Sequence, residues 1–217
     1  MAKTRIYNLS DYEAETFPFG DGGLGEYVAI ADPANPTRVI KPNVDGSVNV
    51  IASSNTGSVP GTELIRPNDV LPYLAGDTIA DNATPGLATI GQFLNMSRLP
   101  SSAGYMTGMQ MFTSLKTCIA ELWVHLWSAP PTTVIADNVP FFIDYADKAT
   151  YLGYIVLPAL STQDNATSTC AVAFDDAIRK RIVTDVNMKV YWQLQTKTAF
   201  TPVALQKFFP VPTVEKN

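Results

Sequence analysis

The run Cys118-Ile-Ala-Glu-Leu-Trp-Val-His-Leu-Trp-Ser-Ala-Pro-Pro, ending at Pro131, decides the fold. Cys118, Ala120, Leu122, Val124 and Leu126 are all apolar. The residues between them, Ile119, Glu121, Trp123, His125 and Trp127, form a mixed aromatic face. Successive strand side chains point to opposite faces, so this alternation predicts a strand with one face in a core and the other against a second surface. Pro130 and Pro131 lack amide donors and close it. A helix competes, because the run is long and free of internal Gly or Pro. The clean alternation and the preference of Trp and Val for pleated surfaces favour the strand.

Working outward, short apolar runs alternate with turn clusters from Asp69 on. Expected strands are Val70 to Leu74, Gly86 to Leu94, Tyr105 to Leu115, Cys118 to Trp127, Pro140 to Tyr145, Tyr151 to Leu157, Thr169 to Phe174, Met188 to Gln195 and Ala199 to Leu205. Many short strands at even spacing, with no βαβ rhythm, predict an all-β chain: an antiparallel, jelly-roll-like β-sandwich over residues 69–217. In Tyr105 to Leu115 the alternation puts Tyr105, Thr107, Met109, Met111, Thr113 and Leu115 on one face, and Gly108, Gln110, Phe112 and Ser114 on the other. Both faces are low in charge, as expected of a strand covered on both sides. Asp175 to Asp185 is the one helix candidate, acidic first and basic later as the helix dipole prefers; a charged strand edge reads equally well.

Residues 1–68 differ. Seven of the 13 glycines lie between Gly20 and Gly61, and Pro18, Pro33, Pro36, Pro42, Pro60 and Pro67 interrupt every run. Tyr27 to Ala31, Arg38 to Lys41 and Ser47 to Ala52 are short extended pieces, with an Asp45-Gly46 turn signal between the last two. We read an extended N-terminal arm that orders against a neighbour or adds strands to the main sheet. A disordered tail is the alternative, and Ile30, Val39, Ile40, Val50 and Ile51 stand against it.

Composition narrows the function. Only 16% of the 217 residues are charged and the net charge is −5, so no phosphate-neutralising surface and no direct nucleic-acid binding are expected. No apolar run reaches the roughly 20 residues of a membrane-spanning helix, and the N-terminus lacks a signal-peptide core, which places synthesis in a cytoplasm. Cys118 and Cys170 read as two buried free thiols.

Searching for chemistry assigns no catalytic, cofactor-binding or metal-ligating residue. Gly20, Gly22 and Gly25 match G-x-G-x-x-G, but no helix follows to present amides to a pyrophosphate. His125 is the only histidine; it lies mid-strand between two tryptophans, with no nucleophile motif in the chain. One His and two Cys cannot close a structural zinc site without carboxylates. Asp137, Asp144, Asp147, Asp164, Asp175, Asp176 and Asp185 read as turn residues, although a glycosidase pair could hide among them. The sequons at Asn8, Asn82, Asn95 and Asn165 carry little meaning without a secretory signal. Ile79-Ala-Asp-Asn recurs at Ile135-Ala-Asp-Asn with unrelated flanks, so no repeat is assigned. What is left is contact surface; Trp123, Trp127, Met106, Met109, Met111 and Phe112 sit in the central strands, and most of them read as ordinary core.

Two motifs then carry a resemblance. Leu71-Pro-Tyr-Leu-Ala-Gly-Asp-Thr-Ile-Ala resembles the T-P-Y-x-A-G-D-x-I-G opening of a family of tailed-bacteriophage virion proteins. Leu126-Trp-Ser-Ala-Pro-Pro-Thr-Thr-Val-Ile-Ala-Asp-Asn-Val-Pro-Phe resembles that family's F-x-x-x-P-T-x-T-x-x-A-D-N-x-x-F, and Tyr151-Leu-Gly-Tyr-Ile is similar to its following strand. Leu71 and Leu74 stand where the pattern has smaller residues, and Ala80 where it has Gly. The resemblance, over residues 70–205, implies a non-enzymatic capsid cement or decoration protein with a β-sandwich body, often trimeric. Its partners would be the major capsid protein and its own copies, on the outer surface of the virion head, with no cofactor and no membrane. A tail, collar or fibre-attachment component is the neighbouring alternative. A carbohydrate-binding β-sandwich is a further one, since this fold hosts many functions.

Overall fold

The computed structural model describes residues 55–162 and 169–216 and the backbone of two short strands near the N-terminus. The chain divides at Ser53 and Ser54 into two units. Of the first, the described part is an antiparallel pair, β1 (Arg5–Tyr7) and β2 (Glu13–Glu15), with Arg5 opposite Glu15. The extended pieces expected at residues 27–52, their Asp45-Gly46 turn and the G-x-G-x-x-G glycines lie outside the described residues, as do Asn8, Asp164 and Asn165.

The second unit is a sandwich of two antiparallel sheets. In chain order its strands are β3 (Asn55–Ser58), β4 (Leu64–Ile65), β5 (Thr78–Ile79), β6 (Gly91–Phe93), β7 (Ala103–Thr113), β8 (Leu122–Trp127), β9 (Tyr151–Leu157), β10 (Ser161–Thr162), β11 (Ala171–Asp175), β12 (Lys180–Val183), β13 (Val190–Thr196) and β14 (Lys207–Lys216). One sheet runs β10-β11-β7-β14-β3, with β12 also on β7 and β4 also on β14; the other runs β5-β13-β8-β9, with β6 also on β13. The chain repeatedly crosses between the sheets, after β4, β6, β7, β9, β12 and β13. Both sheets contribute to one buried cluster, in which Met106, Met109, Met111, Ile182 and Phe208 meet Leu122, Val124, Leu126, Ile155, Trp192 and Leu194. Each such side chain taken out of water contributes about 1.5–3 kcal/mol.

The alternation in the opening stretch is realised. Cys118, Ala120, Leu122, Val124 and Leu126 are all buried, although the strand itself begins only at Leu122. β7 departs from the expected faces. Thr213 pairs with Gly108 and Val214 with Met106, so Thr107 is an extra, bulged residue. A single insertion reverses the side-chain phase. Met109, Met111 and Thr113 share one face as expected, and it points inward, but beyond the bulge Met106 is buried and Tyr105 turns outward.

Three expectations change and one open choice is settled. Residues 55–66 belong to the sandwich: β3 and β4 pair with β14, and Val59 and Leu64 join the core, so the body begins ahead of residue 69. Of the two readings of Asp175 to Asp185 the strand holds and the helix does not: β12 pairs with β7 and buries Ile182. Val70 to Leu74, Pro140 to Tyr145 and Ala199 to Leu205 are loops that touch neighbours through isolated bridges at Tyr73, Pro140 and Phe200. The helical element among the described residues is a short 3-10 turn at Tyr145–Ala149. Finally, β14 is a ten-residue central strand despite Pro210 and Pro212. The carbonyls of both prolines accept from Gly61 and Val59 (2.9 Å each), in the gap between β3 and β4. N–H and C=O of one residue point the same way, so the missing donors face that interrupted side and not β7.

Close packing between paired strands is checked at Gly91, which lies opposite Trp192. A Cβ built there would lie 2.2 Å from the Trp192 ring, whereas one built at Gly57 meets nothing within 4 Å. Gly91→Ala is expected to lower stability by about 1–3 kcal/mol or more through overpacking, and Gly57→Ala to change it by less than about 0.5 kcal/mol. Urea denaturation midpoints of the two variants test this.

Candidate functional site

The outward face of the five-stranded sheet is an aromatic grid. Register places Gln195, Trp123 and Val156 in one row, Gln193, His125 and Tyr154 in the next, and Tyr191, Trp127 and Tyr151 in the third. The loop after β8 folds over it. Phe141 stacks on His125 at 3.8 Å between ring centroids, and Gln193 donates to the Ile135 carbonyl at 3.0 Å. This cover buries His125 and Trp127 on the side that the sequence marks as a contact face.

His125 is satisfied at both nitrogens. Nδ1 lies 2.9 Å from the Tyr151 hydroxyl and Nε2 3.1 Å from Gln195 Oε1, while Gln195 Nε2 donates to the Gly76 carbonyl at 2.9 Å. The carboxamide oxygen facing Nε2 can only accept, so Nε2 carries the proton and Nδ1 accepts from Tyr151. Burial lowers the His125 pKa to about 4, outweighing the bond to Gln195. Burial also pushes the Cys118 thiol up, and both cysteines are free. His125 is thus a neutral packing residue without a nucleophile in hydrogen-bond contact. Trp123 is likewise engaged: Tyr154 stacks on it at 4.3 Å and 9°, and Lys197 Nζ sits 3.7 Å from its ring centroid. With a ring and a cation against it, Trp123 offers no open platform for a sugar.

A second group, absent from the sequence reading as a group, lies inside the sandwich. Arg66 is almost fully buried, and its Nη2 is 2.8 Å from Asp137 Oδ2 and 3.2 Å from Asp69 Oδ1. Arg66 Nε donates to the Tyr73 hydroxyl, which donates to Asp137 Oδ1; the Ala80 amide donates to the same oxygen at 2.8 Å. Burial acts against the Arg66 charge, but Tyr73 and Asp137 outweigh it and hold its pKa above the ordinary value. Burial, then the Asp137 carboxylate, push the Tyr73 phenol far up. Every member is hydrogen-bonded, the condition under which a buried ion pair is tolerated.

This network ties together the two motifs quoted above. The Asp137 amide donates to the Asn82 carbonyl (2.8 Å), the Asn138 amide to Thr78 (2.9 Å) and the Phe141 amide to Gly76 (2.9 Å). The paired Ile-Ala-Asp-Asn stretches therefore lie side by side with both Ile-Ala pairs buried, but their acids differ in use. Asp137 points in to Arg66; Asp81 accepts from Thr89 N at 2.8 Å near the surface. A third loop joins them: Arg66 Nη1 reaches the Val203 carbonyl (3.4 Å), the Tyr73 amide donates to Phe200 (2.9 Å) and Leu205 to Pro67 (3.2 Å). From these three fixed loops Val70, Leu71, Leu74, Phe142, Val203 and Leu205 project into solvent, Leu74 being 69% and Leu71 56% exposed.

Four of the other acids bond locally. Asp144 caps the 3-10 turn through the Ala146 amide (2.9 Å), and Asp147 accepts from Thr132 N (2.9 Å). Asp175 accepts from the Ala177 amide (2.9 Å), and Asp185 from Asn187 N, Lys189 N and Tyr191 OH at 2.7–2.8 Å. Among the described residues no group of three or more His, Cys, Asp or Glu is placed to hold a metal ion. A groove of about 550 Å³, lined by Glu63, Ile65, Asp81 and Gln92 among others, has these polar groups paired: Glu63 with Lys207, Asp81 with Thr89 and Gln92 with Lys189.

No family model matches the chain, and no curated protein matches it.

Two measurements test this geometry. An unfolded chain protonates His125 near pH 6.5, the folded one only near 4. Stability is therefore complete above about pH 6.5 and falls between 6.5 and 4, by up to about 3 kcal/mol from this group. His125→Gln should lose markedly less over that window in urea titrations; parallel losses would remove His125 as the cause. Asp137→Ala, which strands the Arg66 charge, should cost about 3–5 kcal/mol, and the pair Arg66→Met with Asp137→Leu much less than the sum of the singles.

Proposed function

We propose that this chain is a non-enzymatic structural protein of a tailed-bacteriophage particle: a cement or decoration protein that binds the outside of the capsid and stabilises the shell through subunit contacts. The observation that carries this reading is the set of exposed apolar side chains on loops locked by the Arg66–Tyr73–Asp137 network. Solvent-facing Leu and Val are ordinary when scattered, but several on rigid neighbouring loops mark an interaction surface. Pre-ordered loops also lose little entropy on docking. The sequence resemblance supports the reading from a separate direction, because its two motifs supply Tyr73 and Asp137 to that network. Leu71 and Leu74, which depart from the family pattern towards larger apolar residues, are among the most exposed. Contacts repeated over a symmetric shell would add up without any single strong one. The resemblance implies a homo-oligomer, with three copies as its usual form.

Co-sedimentation with purified heads tests this. Wild-type protein should bind in hundreds of copies per particle, and Leu71→Asp with Leu74→Asp should weaken binding at least about tenfold, since burying each Leu contributes ~1.5–3 kcal/mol. Unchanged binding by the double variant would refute the contact surface. A stoichiometry near six or twelve would move the protein to the tail or neck. Deleting residues 1–53 should leave the sandwich folded and abolish binding if the arm lies on the shell; undiminished binding would contradict the arm's role.

A further inference from the structure

Beneath the segment that follows β8, two buried side chains each carry a polar atom with no protein partner. Trp127 is 2% exposed and Gln193 3%, yet the Trp127 indole Nε1 and the Gln193 carboxamide Oε1 form no hydrogen bond within the protein. Turning the Gln193 amide over would not help, because its Nε2 already donates to the Ile135 carbonyl at 3.0 Å. Buried polar groups are almost always paired. An indole N–H can only donate and a carboxamide oxygen can only accept, so the two atoms are chemically complementary.

They are also neighbours. Gln193 pairs with His125 and Tyr191 with Trp127, which makes Gln193 and Trp127 diagonal partners on the outward face. Such residues lie about 7–8 Å apart at the backbone. The bond to Ile135 sets which way the amide leans. Ile79 pairs with Leu194, so Asn82 lies level with Tyr191, and the Asp137 amide donates to the Asn82 carbonyl at 2.8 Å. Ile135 comes two residues earlier, on chain that has just left β8, and lies at or beyond that level. Gln193 therefore leans towards the row of Tyr191 and Trp127. It leans away from Thr78 and Trp123, whose Oγ1 and Nε1 also lack partners.

We infer that one internal water molecule bridges these two side chains, accepting from Trp127 Nε1 and donating to Gln193 Oε1. Two hydrogen bonds of about 2.8–3.0 Å in series span up to roughly 5–6 Å, which suits two diagonal side chains that do not touch. A buried water typically makes two to four hydrogen bonds. An ion would not serve, because one neutral donor and one neutral acceptor offer no charge to balance it. The bridge ties β8 to β13 and, through Gln193 Nε2, to Ile135 in the segment above. The aromatic face is then covered by a bonded loop as well as by the stacking of Phe141 on His125. The site does not depend on the virion reading.

A high-resolution crystal structure of the full chain tests this. It should show one isolated peak within about 2.7–3.2 Å of both Trp127 Nε1 and Gln193 Oε1. Gln193→Met, similar in volume and without the carboxamide, should lose the peak. In solution, water-selective NOE and ROE spectra should give the Trp127 Hε1 signal a cross-peak at the water frequency, of opposite sign in the two, as for a long-lived bound water. That cross-peak should vanish in Gln193→Met and survive in Tyr151→Phe, which removes the nearest hydroxyl able to relay exchange. If Gln193→Met does not fold, the wild-type density and Tyr151→Phe decide alone. No peak, a direct bond between the two side chains, another protein group on either atom, or a cross-peak lost with the Tyr151 hydroxyl would each overturn the inference.

Discussion

Two opposite charges inside a sandwich must find each other, and this requirement organises one end of the molecule. Arg66 and Asp137 are 71 residues apart in the chain and both are buried. Neither would be tolerated there alone, because an unpaired buried charge costs several kcal/mol. Tyr73 and the Ala80 amide fill the remaining valences of Asp137, and the Val203 carbonyl takes one guanidinium donor. The loops around residues 66–77, 135–141 and 200–206 are therefore fixed by polar bonds, where strand pairing gives them only isolated bridges. Fixed loops can hold large apolar side chains in water without collapsing around them.

Much of the fold is readable from apolar runs set between turn clusters. β8, β9, β11 and β13 fall where those runs place them, because each contributes side chains to a common core. The failures have identifiable physics. β14 has no counterpart among the expected strands, and its prolines argue against a central one; the rule is relaxed where the missing donors face a gap between β3 and β4. Tyr105 does not share a face with Met109, Met111 and Thr113, because a one-residue bulge at Thr107 leaves no sequence signature. The charged stretch around Arg181 suits a helix dipole as well as a strand, and the burial of Ile182 against β7 decided it. Residues 55–66 are Gly- and Pro-containing, yet pair with the long β14.

The candidate site was less legible. His125 and the tryptophans stood out by residue type, and tertiary structure makes them packing groups under the Phe141 loop. Arg66, by contrast, sits among prolines with nothing local to mark it, since burial of an arginine depends on a partner distant in sequence. Only the recurring Ile-Ala-Asp-Asn, to which no repeat is assigned, points towards the place where Asp137 is used. Among the described residues, one sheet's outward face is covered by the loop after β8, and the other's carries half-buried Phe112, Val172, Phe209 and Val211 with exposed Phe174. A polypeptide with so few charges and so much apolar surface outside its core is suited to acting through contact.

Electron cryomicroscopy of intact particles carrying this protein measures that directly. The account predicts copies spread over the head lattice, with Val70, Leu71, Leu74 and Phe142 buried against a neighbouring shell subunit. Copies found with those side chains in open solvent, or no copies on the head at all, would contradict it.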